Sequence, residues 1–440
     1  MKIKAFSVFL TAMTIAGAAH MGTANAADLG GNCCADLEER IAELEATAAR
    51  KGNRKVSLSI SGVVNQAVLF WDDGAESNAY VVGNENDQTS VSLTGEAEIT
   101  KDLTAGYDLT IQIDDNTSDG VDQTSDNAFG GLTVWRSNWY VNSKALGRLT
   151  VGLADRATGG VPESDLSEAA DAGYAGVQDI GGSFLLRRSG DSALAGVTWG
   201  DLADHFNGDP ANLIRYDTPA LSGFVASASW GEDDVWDVAL TYTKEDGDLQ
   251  VAAAIGYAEI TDTDGRIADL DQSTLVGSVS VLHEPSGLNL TVAAGRREFD
   301  QQVTDGDGID RTPRDAKFYY VKGGWIAKLT GLGPTAFYGD YGRFDDYLSS
   351  GADDDAVGSL GALGAFDCAA AGGACRVSGS QVEVVGVGLV QHIEAAEMQV
   401  YLGYRHWSAE FDLVDGVGTA AEAAAFEDFH TFIMGSKIAF

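Results

Sequence analysis

A two-residue rhythm runs through most of this chain, and it limits the fold more than any other feature. Val56, Leu58, Ile60, Val64, Val68 and Phe70 share one parity, while Ser57, Ser59, Ser61 and Asn65 share the other. The pattern returns with Val91, Leu93, Ala97 and Ile99 against Ser92, Thr94, Glu96 and Glu98. It returns again with Tyr107, Leu109, Ile111 and Ile113 against Asp108, Thr110, Gln112 and Asp114. In the last segment, Phe432, Met434, Ile438 and the terminal Phe440 oppose Thr431, Gly435 and Lys437. Successive side chains of a strand point to opposite faces, so each segment has one oily and one polar side. Carboxylates on the polar side would be prohibitive in a packed apolar core, whereas a watery lumen accepts them. Past residue 19 no stretch approaches the roughly 20 apolar residues of a membrane helix. In hydrocarbon the only other structure that pairs every backbone group is a closed barrel. The expected fold class is therefore all-β, a transmembrane antiparallel β-barrel of an outer membrane.

With the first three segments, strands near 132–142, 148–156, 211–218, 224–230, 235–243, 249–260, 273–283, 288–297, 316–327, 334–344, 380–393, 397–407 and 426–440 bring the expected number to sixteen. An even number suits a single-chain bacterial barrel, and a barrel of this size leaves an aqueous channel. Short connections fall at Lys101, Ser143, Pro219, Lys244, Glu284, Leu329 and Glu394, and most of the others are long and rich in Asp, Gly and Asn. Short turns would face the periplasm and long loops the exterior. Trp71, Trp135, Trp139, Trp230, Trp236, Tyr242, Tyr257, Trp325, Phe337, Tyr341 and Tyr404 lie near strand ends. As a set they suggest an interfacial girdle, although aromatic residues are enriched in strands generally.

Lys2, Lys4, the apolar run from Ala5 to Ala19 and Ala24-Asn25-Ala26 have the form of a secretory signal peptide over residues 1–26. Residues 27–54 are expected to form a periplasmic helical segment and linker, with Leu37, Ile41 and Leu44 on a coiled-coil-like seam. Self-association and docking as a flap are both open roles for this helix. Residues 55–440 would form the barrel. The formal charge of −38 argues against nucleic acid as a partner. Cys368 and Cys375 are candidates for a short disulfide loop, worth on the order of 2.5 kcal/mol on a chain-entropy argument. The vicinal Cys33 and Cys34 are expected to stay free or to link subunits. The histidines show no paired-ligand spacing, and the Asp114–Gly120 and Asp305–Asp310 stretches depart from a calcium loop. No nucleophile-elbow, zinc or phosphate-loop motif is present, so no cofactor, metal or enzymatic activity is expected.

The interruption from Ala157 to about Pro210 is too long for a simple connection. Arg136, Arg148 and Arg215 have inward parity and Arg156 stands at a strand end. We expect the loop at 157–210 to fold into the lumen as a constriction, setting Glu163, Asp165, Glu168 and Asp171 across from that arginine wall. Opposed charges would impose a transverse field on a narrow aqueous path. An external lid whose acids merely face water is the plainer alternative. Arg187 and Arg188 could join the wall or balance the loop.

Asn212-Leu-Ile-Arg-Tyr-Asp-Thr-Pro-Ala-Leu-Ser-Gly-Phe224 and Gly147-Arg-Leu-Thr-Val-Gly152 resemble segments flanking the constriction loop of general bacterial porins. The stretch from Asn32 to Ala46, followed by Lys55-Val-Ser-Leu-Ser-Ile-Ser-Gly62, is similar to the amino-terminal region of alphaproteobacterial porins. The resemblance implies a sixteen-stranded homotrimer in the bacterial outer membrane, embedded in its lipid and ending in Phe440 as an assembly signal. It implies passive diffusion of ions and small hydrophilic solutes. The family's pore-lining positions do not transfer residue by residue to this loop. Overall acidity suggests modest cation preference. A solute-specific channel, a structural envelope anchor using the helical segment, and an enzymatic barrel are the competing readings.

Overall fold

The computed structural model describes residues 56–231, 234–261, 271–299, 303–304, 310–311, 314–347, 376–414 and 425–440. The signal-like segment, the helix seam of Leu37, Ile41 and Leu44, and all four cysteines, including Cys368 and Cys375, lie outside the described residues.

The chain opens with β1 (Ser59–Asp72), β2 (Ser77–Gly83), β3 (Ser90–Glu98), β4 (Leu103–Asp114), β5 (Gly131–Ser143) and β6 (Gly147–Ala154). Two short strands, β7 (Leu185–Arg187) and β8 (Leu194–Thr198), form a separate hairpin inside the long segment that follows. The wall resumes with β9 (Ala211–Asp217), β10 (Phe224–Gly231), β11 (Trp236–Asp246), β12 (Leu249–Ile260), β13 (Gln272–His283) and β14 (Leu288–Phe299). A small outer hairpin, β15 (Val303–Thr304) with β16 (Asp310–Arg311), precedes β17 (Ala316–Ala327) and β18 (Thr335–Asp345). The last strands are β19 (Arg376–Ile393), β20 (Met398–Val414) and β21 (Phe429–Ala439).

All wall pairings are antiparallel, and β21 pairs with β1 over Asp72↔His430 to Val63↔Ala439, which closes the sheet on itself. Both β2 and β3 pair with β1, so they are two halves of one interrupted strand, and the barrel has sixteen staves. Each of the seven short connections anticipated from sequence joins the expected pair of strands.

Outward positions carry the apolar parity: Ile60, Leu290, Val387, Met434 and Phe440 are all exposed in the isolated chain. Their exposure is that of a surface meant for lipid rather than water. Inward positions include Asn65, Asp237, Ser280 and Lys322, each fully buried beneath other protein atoms. At the closing seam Phe440 N donates to Gly62 O at 3.0 Å, and Gly62 N donates to Phe440 O at 2.9 Å. A Cβ on Gly62 would stand 2.5 Å from Ser90 O and 2.7 Å from Phe440 Cζ, so only glycine fits there.

Two features differ from the alternation-based expectation. First, the connection after β1 is mostly strand. A tight turn, in which Asp73 Oδ1 accepts from Ala75 N at 3.1 Å and Glu76 N at 2.8 Å, reverses the chain directly into β2. Gly74, at φ +84, takes the left-handed position of that turn. Second, the inner face is not wet throughout. Leu69, Trp71, Phe318, Phe344, Trp407 and Phe429 point inward and are buried. They make an apolar floor for the segment between β6 and β9.

Candidate functional site: the lumen and its in-folded segment

Residues 157–210 lie against the inner wall, and the attachments can be followed from strand to strand. Thr158 N and Oγ1 donate to Asp237 Oδ2 on β11 at 2.7 and 2.6 Å. Ser164 N and Leu166 N donate to Ser278 Oγ and Ser280 Oγ on β13 at 3.1 and 2.9 Å. Lys322 Nζ on β17 reaches Asp165 Oδ2 at 2.5 Å and Gly173 O at 2.7 Å. Tyr338 on β18 donates to Ala172 O at 2.8 Å. Arg405 on β20 donates to Val177 O and Tyr174 O at 3.1 and 2.8 Å while pairing with Asp340 Oδ2 at 3.1 Å. Lys437 on β21 holds Asp171 and Asp87, each at 2.8 Å. A loop backbone has few partners of its own, so inward polar side chains of the staves supply them.

The apolar side of the segment seals this contact. Phe184, Leu186, Val197, Trp199, Leu202 and Phe206 are buried. Phe184 packs 5.0 Å from Phe429, Trp199 5.8 Å from Trp407, and Phe206 5.4 Å from Phe318, measured between ring centroids. Aromatic packing of this kind adds to area burial and fixes the segment's position.

What remains of the lumen is polar and charged. A cavity of about 710 Å³ is lined by Arg136, Arg156, Glu163, Asp204, Asp209 and Arg297, together with Glu85, Asp87 and Asp179. A second, of about 330 Å³, lies toward the short-turn end among Asp108, Arg148, Asp155, Arg215 and Asp217. Arg136 lines both cavities and so stands between them. Its guanidinium meets Asp155 at 2.8 Å. Arg215 pairs with Asp217 at 2.9 Å and donates to Arg156 O at 2.8 Å. Arg156 Nε donates to Asp209 O at 2.9 Å. Arg148 lies 3.8 Å over the Tyr140 ring, with Nε 3.2 Å from Thr150 Oγ1. All four arginines singled out from sequence thus share one side of the lumen, on β5, β6, β9 and the start of the in-folded segment.

The four acids are distributed differently. Glu163 lines the larger cavity and holds His205 Nε2 at 2.8 Å. Asp165 and Asp171 turn away from open water to the wall cations Lys322 and Lys437. Glu168 stands 3.7 Å from His392 Nε2 at the far side, with φ +54. Asp165 and Asp171 therefore act as anchors in this geometry, because pulling either away would leave a buried ammonium uncompensated. Arg187 is also an anchor: it pairs with Asp73 at 2.7 Å beneath the segment, and Arg188 meets Asp191 at 2.8 Å.

Asp179, Asp204 and Asp209 belong to the loop expected to fold inward but were not among the four acids singled out, and Arg297 was missed altogether. Arg297 has inward parity on β14, faces Asp204 at 3.3 Å and sits 4.3 Å over the Phe206 ring. Parity could have found it. The acids could not be found that way, because the segment that carries them has no periodic structure. Around His205 the loop builds a buried polar knot. Gln178 Nε2 lies 3.0 Å from His205 Nδ1, and Tyr174 donates to Asp179. Burial by itself would lower the His205 pKa, but the hydrogen bond and charge of Glu163 hold it above the ordinary imidazole value. Burial pushes Asp179 up to about 6. Burial likewise raises Asp209. Among the described residues no group of three or more His, Cys, Asp and Glu side chains is arranged to hold a metal ion.

A closed sheet with an oily exterior and a charged, hydrated interior, partly filled by its own loop, defines a transmembrane channel. A family model described as Gram-negative porin matches residues 10–426, and the chain belongs to that family, whose members form channels in the bacterial outer membrane. Among solved structures, the anion-selective porin from Comamonas acidovorans is similar at 15% identity, covering 88% of this chain and 100% of that one, with a TM-score of 0.52. OmpT, an outer membrane protein of Vibrio cholerae, is similar at 13% identity over 90% of this chain and 100% of that one, with a TM-score of 0.50. A trimer form of OmpT gives 13% identity, 88% and 99% coverage and a TM-score of 0.50. At these identities the likeness is one of fold. No curated protein matches the sequence at a significant level.

Proposed function

We propose that residues 157–210 are the filter of this outer-membrane diffusion channel, sorting ions and small hydrophilic solutes by size and charge. The observation that carries this reading is the attachment of the segment to inward side chains from β11 to β21, which among the described residues leaves the charged cavities around Arg136 as a path. The arginines Arg136, Arg148, Arg156 and Arg215 form one bank of that path. Arg297, Glu163, Asp204 and Asp209 supply charge around the rest, so of the four acids singled out from sequence this reading keeps Glu163 and adds two others. Carboxylates outnumber guanidinium groups around the larger cavity, which supports weak cation preference. Reversal potentials across a KCl gradient test this: a potential favouring potassium is expected, and one favouring chloride would reject the preference while leaving the channel intact. We further propose a homotrimer, as in the trimer form of OmpT, with residues 1–26 as a cleaved signal and 27–54 as a periplasmic helical segment. Three equal closing steps per insertion in single-channel records are the expected signature of three independent pores, and single steps would argue for a monomer.

A further inference from the structure

On the outer wall, away from the lumen, β20 and β21 place His406 directly opposite His430. Both lie on the outward parity, in line with the exposed Tyr404 and Met434, at the end of the barrel that bears the long connections. His406 Nδ1 is 3.4 Å from His430 Nδ1, and Tyr404 Oη is 2.9 Å from that same His430 nitrogen. His430 Nδ1 thus has two polar neighbours in reach, a ring nitrogen and a phenol oxygen. An imidazole nitrogen offers either one hydrogen or one lone pair, so His430 Nδ1 cannot serve both neighbours along its axis. A single cation can. Zinc–nitrogen bonds of about 2.0–2.1 Å at a tetrahedral angle put two ligand nitrogens about 3.3–3.4 Å apart. The observed spacing between the two rings is that of two adjacent corners of such a site. His406 Nε2 faces Asp428 Oδ2 at 3.9 Å. That carboxylate adds negative charge beside the pair without bonding to it. Asp72 is the register partner of His430 on the other side, which adds negative charge to the same rim.

We propose that Tyr404, His406 and His430 form an exchangeable surface site for a borderline divalent ion, zinc or copper(II), that clips β20 to β21 beside the closing seam. Two imidazoles and a phenol favour these ions over calcium or magnesium, which take oxygen ligands. Water completes the coordination, since the protein supplies two imidazoles and the neighbouring phenol.

The test uses the folded full-length protein in detergent, with wild type, H406N, H430N, the double variant and Y404F. Zinc binding is followed by equilibrium dialysis in excess calcium, and copper(II) binding by electron paramagnetic resonance. Wild type should bind one more zinc per chain than the double variant, and each single histidine change should weaken that site by on the order of tenfold or more. The copper spectrum should show coupling to two nitrogens, reduced to one in either single variant. Equal zinc uptake by wild type and double variant, or a nitrogen signal unchanged by both substitutions, would overturn the site. The side chains lie on the outer wall, so unchanged single-channel conductance in these variants shows that any loss of metal is not loss of fold.

Discussion

The residue that best shows how this channel is built is Lys322. Its ammonium has no exposure to solvent and its partners, Asp165 and Gly173 O, both come from the in-folded segment. Removing the cation leaves Asp165 as a nearly buried, uncompensated charge, a change that costs about 3–5 kcal/mol. Lys322→Met should therefore loosen residues 157–210 while leaving the barrel closed, and hydrogen exchange should accelerate in that segment alone. Protection unchanged from wild type would show that the pair does not hold the loop. Adding Asp165→Asn should recover much of the lost protection, because it removes the orphaned charge. The inward parity of Lys322 was readable in the alternation of β17, as was that of Lys437 in β21. Their partners were not, since Asp165 and Asp171 look like any other loop acid until a distant stave is placed beside them.

The wall elements were legible because period-two alternation is a local signal, and sixteen separate segments repeat it. β2 escaped notice for a local reason too. Only Ala79, Tyr80, Val81 and Val82 give it apolar character, without alternation, and it lies between turn-forming residues that suggest a loop. The apolar floor under the segment was hidden by a different limit: Leu69 and Trp71 occupy the inward parity, and parity cannot distinguish water from a covering loop. The in-folded segment itself has a pH dependence that follows from its buried knot. Asp179 is raised from 3.8 to about 6, so the stability it contributes is complete below about pH 3.8 and is lost as pH rises through about 6. His205 is raised from 6.5, so its contribution is complete below that value and is lost as pH rises through the higher folded value. Both groups bind protons more tightly in the folded loop, and both signs agree. Hydrogen exchange over residues 174–209, corrected for intrinsic rates, should be slower at pH 5 than at pH 8. Faster exchange at pH 5 would contradict the assignment.

At the scale of the whole barrel, the described residues form a closed sheet with an apolar outer face and one long segment, 157–210, held against its inner wall. Charge is divided accordingly: a formal −38 over the chain, with arginines gathered on one bank of the lumen. That division explains how a strongly acidic chain can still present guanidinium groups to a passing solute. The sixteen staves fix only an upper bound on the pore, since an open barrel of that size would be a wide aqueous tube. On the proposed reading the narrowing belongs to residues 157–210. Single-channel conductance of the purified protein in planar bilayers, compared with a variant in which a short glycine-serine link replaces part of that segment, tests this most directly. Wild type should give discrete steps, and the shortened variant should give larger ones with weaker ion preference. Absence of steps in wild type, or identical conductance and selectivity in the two proteins, would contradict the account.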